Sequence, residues 1–469
     1  YDAALSTSLF ESERDGLVQK WAVPSADGDV DGDGDVDADD LTMFANAWLD
    51  YDCDSAANFD QWCIIDNRDL AILAYNWLTD NNVTGGDLDY GAYYGYQAWH
   101  LAPDTGSGSF FDEWIHWFDN NTPDAAHIHG DMWPDMTEYP AEDLFNTQMV
   151  YPNDDNAQVY SCSKYSAIDL HIKWMKDYGL KGHFYQVQCA HIDNPDKLSG
   201  VDVITEHIIT ACEKYEVKFC MMPCNNAKTE SANENIVSKI TDFWRHCVDD
   251  LEVTKSPQYM YQNGLPVIGL WGLGFDNRPM TVAEATEILD FFQNSPQEKY
   301  RVYVMGGVPV TWRRAPKAGW DPVFLRLDMI SPWRTIFNFT PTTVGYMNDD
   351  LAYCNANGLD YNPVVSPGAS TMHLRDDPAM FNWKPRNGGH FFWDQVYEVC
   401  LMGSKFMYVA MFDEVDEGTA MYKLAETEAD CPVDAGQAPL DIDGYDLPSD
   451  WYLRVGTEEQ KMLDGTIGL

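Results

Sequence analysis

From Asp89 onward the chain repeats one alternation, a short apolar run followed by a stretch with helical period. The runs are Tyr90–Gly95, Gly182–Val187, Val217–Met222, Pro266–Leu270, Arg301–Met305, Leu325–Ile330, Tyr361–Val365 and Phe406–Met411. Near-continuous apolarity over five or six residues fits strands buried on both faces of a parallel sheet. Between runs, Val201, Ile204, Ile208, Ala211 and Tyr215 fall on one helical stripe, and 282–292 and 391–402 carry the same period. Eight strand–helix pairs predict an α/β fold, a (β/α)8 TIM barrel over residues 87–469.

The first residues read differently. Asp29, Asp31 and Asp33 stand at positions 1, 3 and 5 of a calcium loop, with Gly34 at the sharp turn, Asp35 at position 7 and Asp40 at position 12. Calcium takes six to eight oxygens, and this spacing wraps them round one ion. LTMFANAWL at Leu41 recurs as LAILAYNWL at Leu70, each following a loop that ends in Asp, Asp40 or Asp69. Loop and helix, twice, resemble a type I dockerin module, here a small helical domain at 24–82. That resemblance implies structural calcium and a cohesin-like or surface partner. The second loop, Asn58–Asp69, departs from the pattern, with Trp62 and Cys63 where Asp and Gly are expected. Cys53 and Cys63 are a candidate disulfide, and the other cysteines read as small buried hydrophobes without paired metal spacing.

Active sites of such barrels lie at the C-terminal ends of the strands. The first run, which contains Tyr94, leads into Tyr96, Gln97, Trp99 and His100. Gln186 and Gln188 close the second, and Asn225 and Asn226 follow the third. Trp271 follows the fourth, Trp312 and Arg313 the fifth, Ser331 and Trp333 the sixth, Ser366 and His373 the seventh. This set is rich in aromatic and amide groups and shows no metal cluster. Aromatic faces stack on sugar C–H groups and amides bind hydroxyls, so Tyr94, Trp99, His100, Gln188, Asn225, Trp271, Trp312, Trp333, His373 and Asp413 are candidate glycan contacts. Each aromatic has the alternative of core packing. Arg313, Arg314, Arg334 and Arg375 are candidate anion contacts, with salt bridges as their alternative.

The eighth run ends in Asp413, Glu414, Asp416 and Glu417. Crowded carboxylates push one another's pKa values apart, so that one stays protonated while another ionises. Glycosidic cleavage needs that division of labour. The bland alternative is a solvated acidic loop in an acidic protein.

MFDEVDEGT resembles the FNEWxEGT-type segment of glycoside hydrolase family 99, the endo-α-mannosidases and endo-α-mannanases. Residues 89–466 are similar to proteins described as family 71/99-like, through HIKWMKDYGLKGHF, GLPVIGLWGLGFDNRP, YVMGGVPVTWR, GLDYNPVVSPG, GGHFFWDQVYE and YVAMFDEVDEGTA. The resemblance implies a retaining α-glycosidase. Glu414 would act as base on the sugar 2-hydroxyl, giving a 1,2-anhydro sugar. Glu417 would protonate the leaving oxygen and then activate water. Asp413 and Val415 depart from the motif's Asn and aromatic residue. Asp416 is an alternative acid, and the family 71 relationship leaves an inverting α-glucanase open. A carbohydrate-binding protein without turnover is the rival from another class.

With 76 acidic and 29 basic residues, the formal net charge of −47 repels nucleic acid and anionic membrane surfaces. There is no apolar run of membrane-spanning length. Together with the dockerin-like module, this predicts a bacterial protein that is secreted, cell-surface or periplasmic and acts on a polysaccharide or oligosaccharide. No cofactor is expected for catalysis.

Overall fold

The computed structural model describes residues 87–104, 109–192, 194–335 and 337–468. The calcium loop at Asp29–Asp40, its companion at Asn58–Asp69 and the Cys53–Cys63 pair lie outside the described residues.

All eight predicted strands form: β1 (Gly91–Tyr96), β2 (Gly182–Gln188), β3 (Lys218–Cys224), β4 (Leu265–Trp271), β5 (Tyr303–Pro309), β6 (Met329–Trp333), β7 in two pieces (Asp360–Tyr361 and Val364–Val365) and β8 (Phe406–Val409). They pair side by side in parallel, in the order β6-β5-β4-β3-β2-β1-β8. The first piece of β7 pairs with β6 (Tyr361 opposite Ile330) and the second with β8 (Val364 opposite Tyr408). The seventh segment thus joins the two ends of the path, and the sheet curls into a barrel-like ring. The break falls at Asn362–Pro363, where proline has no N–H to give to the ladder. Asn362 N still donates to Ile330 O, and Pro363 O accepts from Tyr408 N.

Two strands depart from the bounds of their apolar runs. Leu325 belongs to the turn after a one-turn helix, Asp321–Phe324, and is 42% exposed. The strand proper starts at Met329. The last strand ends at Val409, two residues before its run does, and Met411 N donates to Thr419 O of the loop that follows.

The connecting helices are α1 (Tyr165–Asp177), α2 (Pro195–Tyr215), α3 (Ile236–Asp249), α4 (Val282–Asn294), α5 (Pro341–Asn357), α6 (His390–Leu401) and α7 (Trp451–Leu463). Between β5 and β6 the single turn at Asp321–Phe324 stands in place of a long helix. Local chemistry starts these helices where they start. Asn194 accepts from Asp196 N and Lys197 N with Pro195 in the first turn of α2, and Thr281 and Glu284 form a capping box on α4. The α2 stripe then buries Val201, Ile204, Ile208 and Ala211. Burying a Val or Ile side chain stabilises by about 1.5–3 kcal/mol, so tertiary packing fixes the helix more than propensity does.

The connection from β1 to α1 is the long one, residues 97–164, and includes the antiparallel hairpin Phe145–Val150 with Asn156–Val159. It leaves from the C-terminal end of β1, the end at which barrel loops carry function.

Candidate active site

The acidic motif forms a tight loop just past β8. Phe412 N donates to Gly95 O at 2.7 Å, and Met411 N to Thr419 O at 3.1 Å. Gly418 closes the turn with φ +66°, and a Cβ there would stand 2.5 Å from Ser370 N. Only glycine adopts that conformation in that space without strain. Buried Arg386 donates to Gly418 O at 2.9 Å and Ala420 O at 2.7 Å. Ser370 N donates to Glu417 O at 3.0 Å. The loops after β7 and β8 therefore hold one another.

The four carboxylates have four different surroundings. Asp413 is fully buried, and its oxygens accept from Gln97 N at 2.9 Å and Ala98 N at 2.7 Å. Burial pushes its carboxyl up to about 7 against those two amides. It braces the end of β1 and does not face a ligand, which corrects its assignment as a glycan contact. Glu414 is buried, and its Oε1 accepts from Asp416 N at 3.0 Å. Burial, then the charges of Asp416, Glu417 and Asp413, raise its carboxyl well above the usual range. Glu417 is solvent-exposed, with protein crowded around it. Its carboxyl is raised by that enclosure and by Asp416, while Arg375 pulls it down.

Asp416 is the exception. Three imidazoles converge on it: His100 Nε2 at 3.2 Å from Oδ1, and His116 Nδ1 at 2.6 Å and His129 Nδ1 at 3.3 Å from Oδ2. Burial alone would raise its carboxyl, yet the charge of His116 and the hydrogen bonds from His100, His116 and His129 hold it well below the carboxylate range. The same contact raises His129, whereas burial lowers His116 against the pull of Asp416. Asp416 is thus kept ionised beside two carboxyls whose protonation it favours.

His116 and His129 were not singled out from sequence, and their ring nitrogens lie with an Asp416 oxygen inside 4.8 Å, a grouping of metal-ligand type. His100, Glu414 and Asp416 form a second such group. The expectation of no metal cluster is corrected to that extent. In both groups, however, hydrogen bonds within the cluster already engage Asp416.

The aromatic and amide candidates divide. Trp99 stacks on His116 with centroids 3.9 Å apart and planes 3° apart, which joins it to the Asp416 cluster. Gln188 and Trp99 line one small hollow together with Gln97 and Gln186. Trp271 and Trp333 meet edge to face at 5.5 Å, and Trp333 lies 6.1 Å from Tyr408 inside the barrel. Tyr408 in turn accepts from Gln186 Nε2 at 3.0 Å, so this pair is linked to the acidic loop through Gln186 and Gln97. His373 is oriented by Asp131, whose fully buried carboxylate accepts from His373 Nδ1 at 2.6 Å, His373 N at 2.9 Å and Met372 N at 2.7 Å. Asp131, another residue missed from sequence, fixes the β7 loop beside Glu417.

Four other candidates are corrected. Tyr94 points outward from the barrel, its hydroxyl donating at 2.6 Å to Glu459 on α7. His100 is 0% exposed, and its Nε2 lies 3.2 Å from Asp416 Oδ1. Asn225 is equally buried and organises its own loop, through Asn233 Oδ1 at 3.0 Å and Ala227 N at 3.2 Å. Trp312 is packed between Phe324 and Tyr353. Among the arginines, Arg313 pairs with buried Asp350 at 2.8 Å, a structural salt bridge. Arg314 lies over Tyr346, and Arg334 is buried over Phe337.

No profile of a known protein family matches the chain, and no curated protein does either. Solved structures are similar in fold. A family 99 endo-α-mannosidase from Bacteroides thetaiotaomicron, in complex with bis-tris-propane, has a TM-score of 0.57 at 16% identity, covering 81% of this chain and 98% of that one. A second structure of a family 99 endo-α-mannosidase from the same organism has a TM-score of 0.58 at 14% identity, covering 81% of this chain and all of that one. At such identities the likeness establishes a shared barrel-like fold. It accords with the motif resemblance at the end of β8.

Proposed function

We propose that this chain is a glycoside hydrolase cleaving α-glycosidic bonds in a polysaccharide or glycan. The observation that carries the reading is the pairing of Glu414 with Glu417 around an Asp416 held ionised by three imidazoles. Like charges this close do not all ionise together. With Asp416 fixed as the anion, Glu414 and Glu417 share one proton; carried by Glu417, it leaves Glu414 ionised to act as base, and proton transfer between substrate and loop becomes possible near neutral pH. The fold neighbours and the FDEVDEGT segment support the same assignment.

In this mechanism exposed Glu417 protonates the leaving oxygen and later takes a proton from the attacking water. Glu414, oriented through Oε1 by the Asp416 amide, removes the proton of the sugar 2-hydroxyl. The 2-oxygen displaces the leaving group from C1, giving a 1,2-anhydro sugar, and water then opens it with net retention as Glu414 returns its proton to the 2-oxygen. This substrate-assisted route is a departure from the two-carboxylate scheme. Trp99, Gln188, Trp271 and Trp333 supply the sugar-binding surface. Two observations test the route together. The first-formed product has the α configuration by proton NMR, and a substrate lacking the 2-hydroxyl at the cleaved sugar is not turned over. A β product assigns inversion instead, and binding without any product assigns a carbohydrate-binding protein.

The N-terminal segment enters as a second proposal. Asp29, Asp31, Asp33, Asp35 and Asp40 bind structural calcium, and the segment addresses a secreted or surface-bound enzyme to a cohesin-like or surface partner.

A further inference from the structure

The basic residues of this chain are distributed unevenly between those with carboxylate partners and those without. Several on the helical belt are paired: Lys173 with Asp177, Lys214 with Asp169, Lys299 with Asp249, Arg326 with Asp290. Such pairing is common but not general among the described residues, since Arg314, Arg334, Arg386 and Lys405 lack a carboxylate partner. Lys228, Arg278 and Lys317 depart from it. They come from the loops after β3, β4 and β5, line one open cavity of about 610 Å³, and among the described residues none pairs with a carboxylate.

Arg278 lies over the ring of Trp271, 5.4 Å from its centroid. Its Nη1 donates to Asn277 O at 3.2 Å, while its Nε has no hydrogen-bond partner. Lys317 Nζ donates to Arg278 O at 2.9 Å and Phe275 O at 3.3 Å, which fixes the loop that presents the guanidinium. Glu230 and Asp276 also line the cavity, and both are exposed. Three cations against two anions leave one net positive charge, in a chain of −47.

We propose that this cavity is a subsite for an anionic substituent of the glycan, a sulfate ester or a uronic carboxylate, on the sugar that packs against Trp271 and Trp333. Such groups are acceptors only, and the three cationic donors of the lining outnumber its two exposed carboxylates. The inference rests on the glycoside hydrolase reading for its sugar, but its cations are tested by binding alone.

The test is affinity electrophoresis of the Glu417→Gln variant through gels containing a sulfated galactan, the same galactan after chemical desulfation, polygalacturonate, or neutral α-mannan. The sulfated polymer or the polygalacturonate is expected to retard the protein about tenfold more strongly than the uncharged ones, with retardation falling as sodium chloride rises. Which of the two does so identifies the anion. Arg278→Gln is expected to lose the preference. Lys228→Ala, at an exposed position that folding does not depend on, is expected to weaken it. Equal retardation by charged and uncharged polymers, no retardation by any, or a preference unchanged in both variants overturns the proposal. Retention of a charged polymer that wild type never cleaves leaves the subsite standing and removes the hydrolase. Cleavage by wild type of α-mannan with no gain from charge does the reverse.

Discussion

The backbone amide of Asp416 donates to Glu414 Oε1 at 3.0 Å, while the Asp416 side chain faces His100, His116 and His129. One residue thus orients the proposed base through its main chain and keeps its own side chain ionised. The second property acts on Glu417, whose carboxyl is raised by its enclosure and then by the Asp416 charge.

Replacing Asp416 with Asn removes that charge. Glu417 then loses its proton at lower pH, so the basic limb of the kcat/KM profile is expected to move toward acid by about one pH unit. The acidic plateau is expected to retain activity. A basic limb that stays in place assigns it to another group.

The edge-to-face pair of Trp271 and Trp333 sits at the ends of β4 and β6, where a sugar ring can lie against it. Alanine at either position is expected to raise KM about tenfold and leave kcat within a factor of a few. Unchanged KM in both variants would make them wall residues only.

Glu459 lies buried under β1, bound by the Tyr94 hydroxyl at 2.6 Å. Burial pushes its carboxyl up to about 8 against that hydrogen bond. A folded pKa above the unfolded one means stability fully present below the unfolded value and lost as pH rises through about 8. Thermal melts are therefore expected to show Tm declining from pH 5 to pH 8, with about 4 kcal/mol as an upper bound on the loss. Glu459→Gln should flatten the decline, and an equal slope in the variant would exclude this carboxyl as its source.

Chelation separates the proposed calcium module from the barrel. The spacing Asp29–Asp40 predicts that EDTA abolishes calcium-dependent partner binding and leaves glycan turnover unchanged. Loss of turnover restored by calcium would place the ion in the enzyme's own chemistry.

Much of the barrel was legible because its strands are buried on both faces, which leaves continuous apolar runs. That same burial hid which face each side chain takes, so Tyr94, on the outer face, read like a ligand contact. The break at Asn362–Pro363 was not visible as two pairings, since a proline in a run says only that a ladder bond is missing. FDEVDEGT gave up its site because its carboxylates are adjacent in sequence. Its partners did not: His116 meets Asp416 across 300 residues of separation. Nothing in the local pattern of the β1 loop marks His116 and His129 as its neighbours, and only the fold brings them there.

The central claim is that Glu417 carries the proton of the cleavage step. The most direct measurement is a product screen of wild type and Glu417→Gln against α-mannans, α-glucans, fucans and galactans. The account predicts that wild type releases oligosaccharides from one of them and that the variant does so about a thousandfold more slowly, while still binding the polymer. A Glu417→Gln variant as fast as wild type, or a wild type that binds glycan and releases nothing, would contradict it.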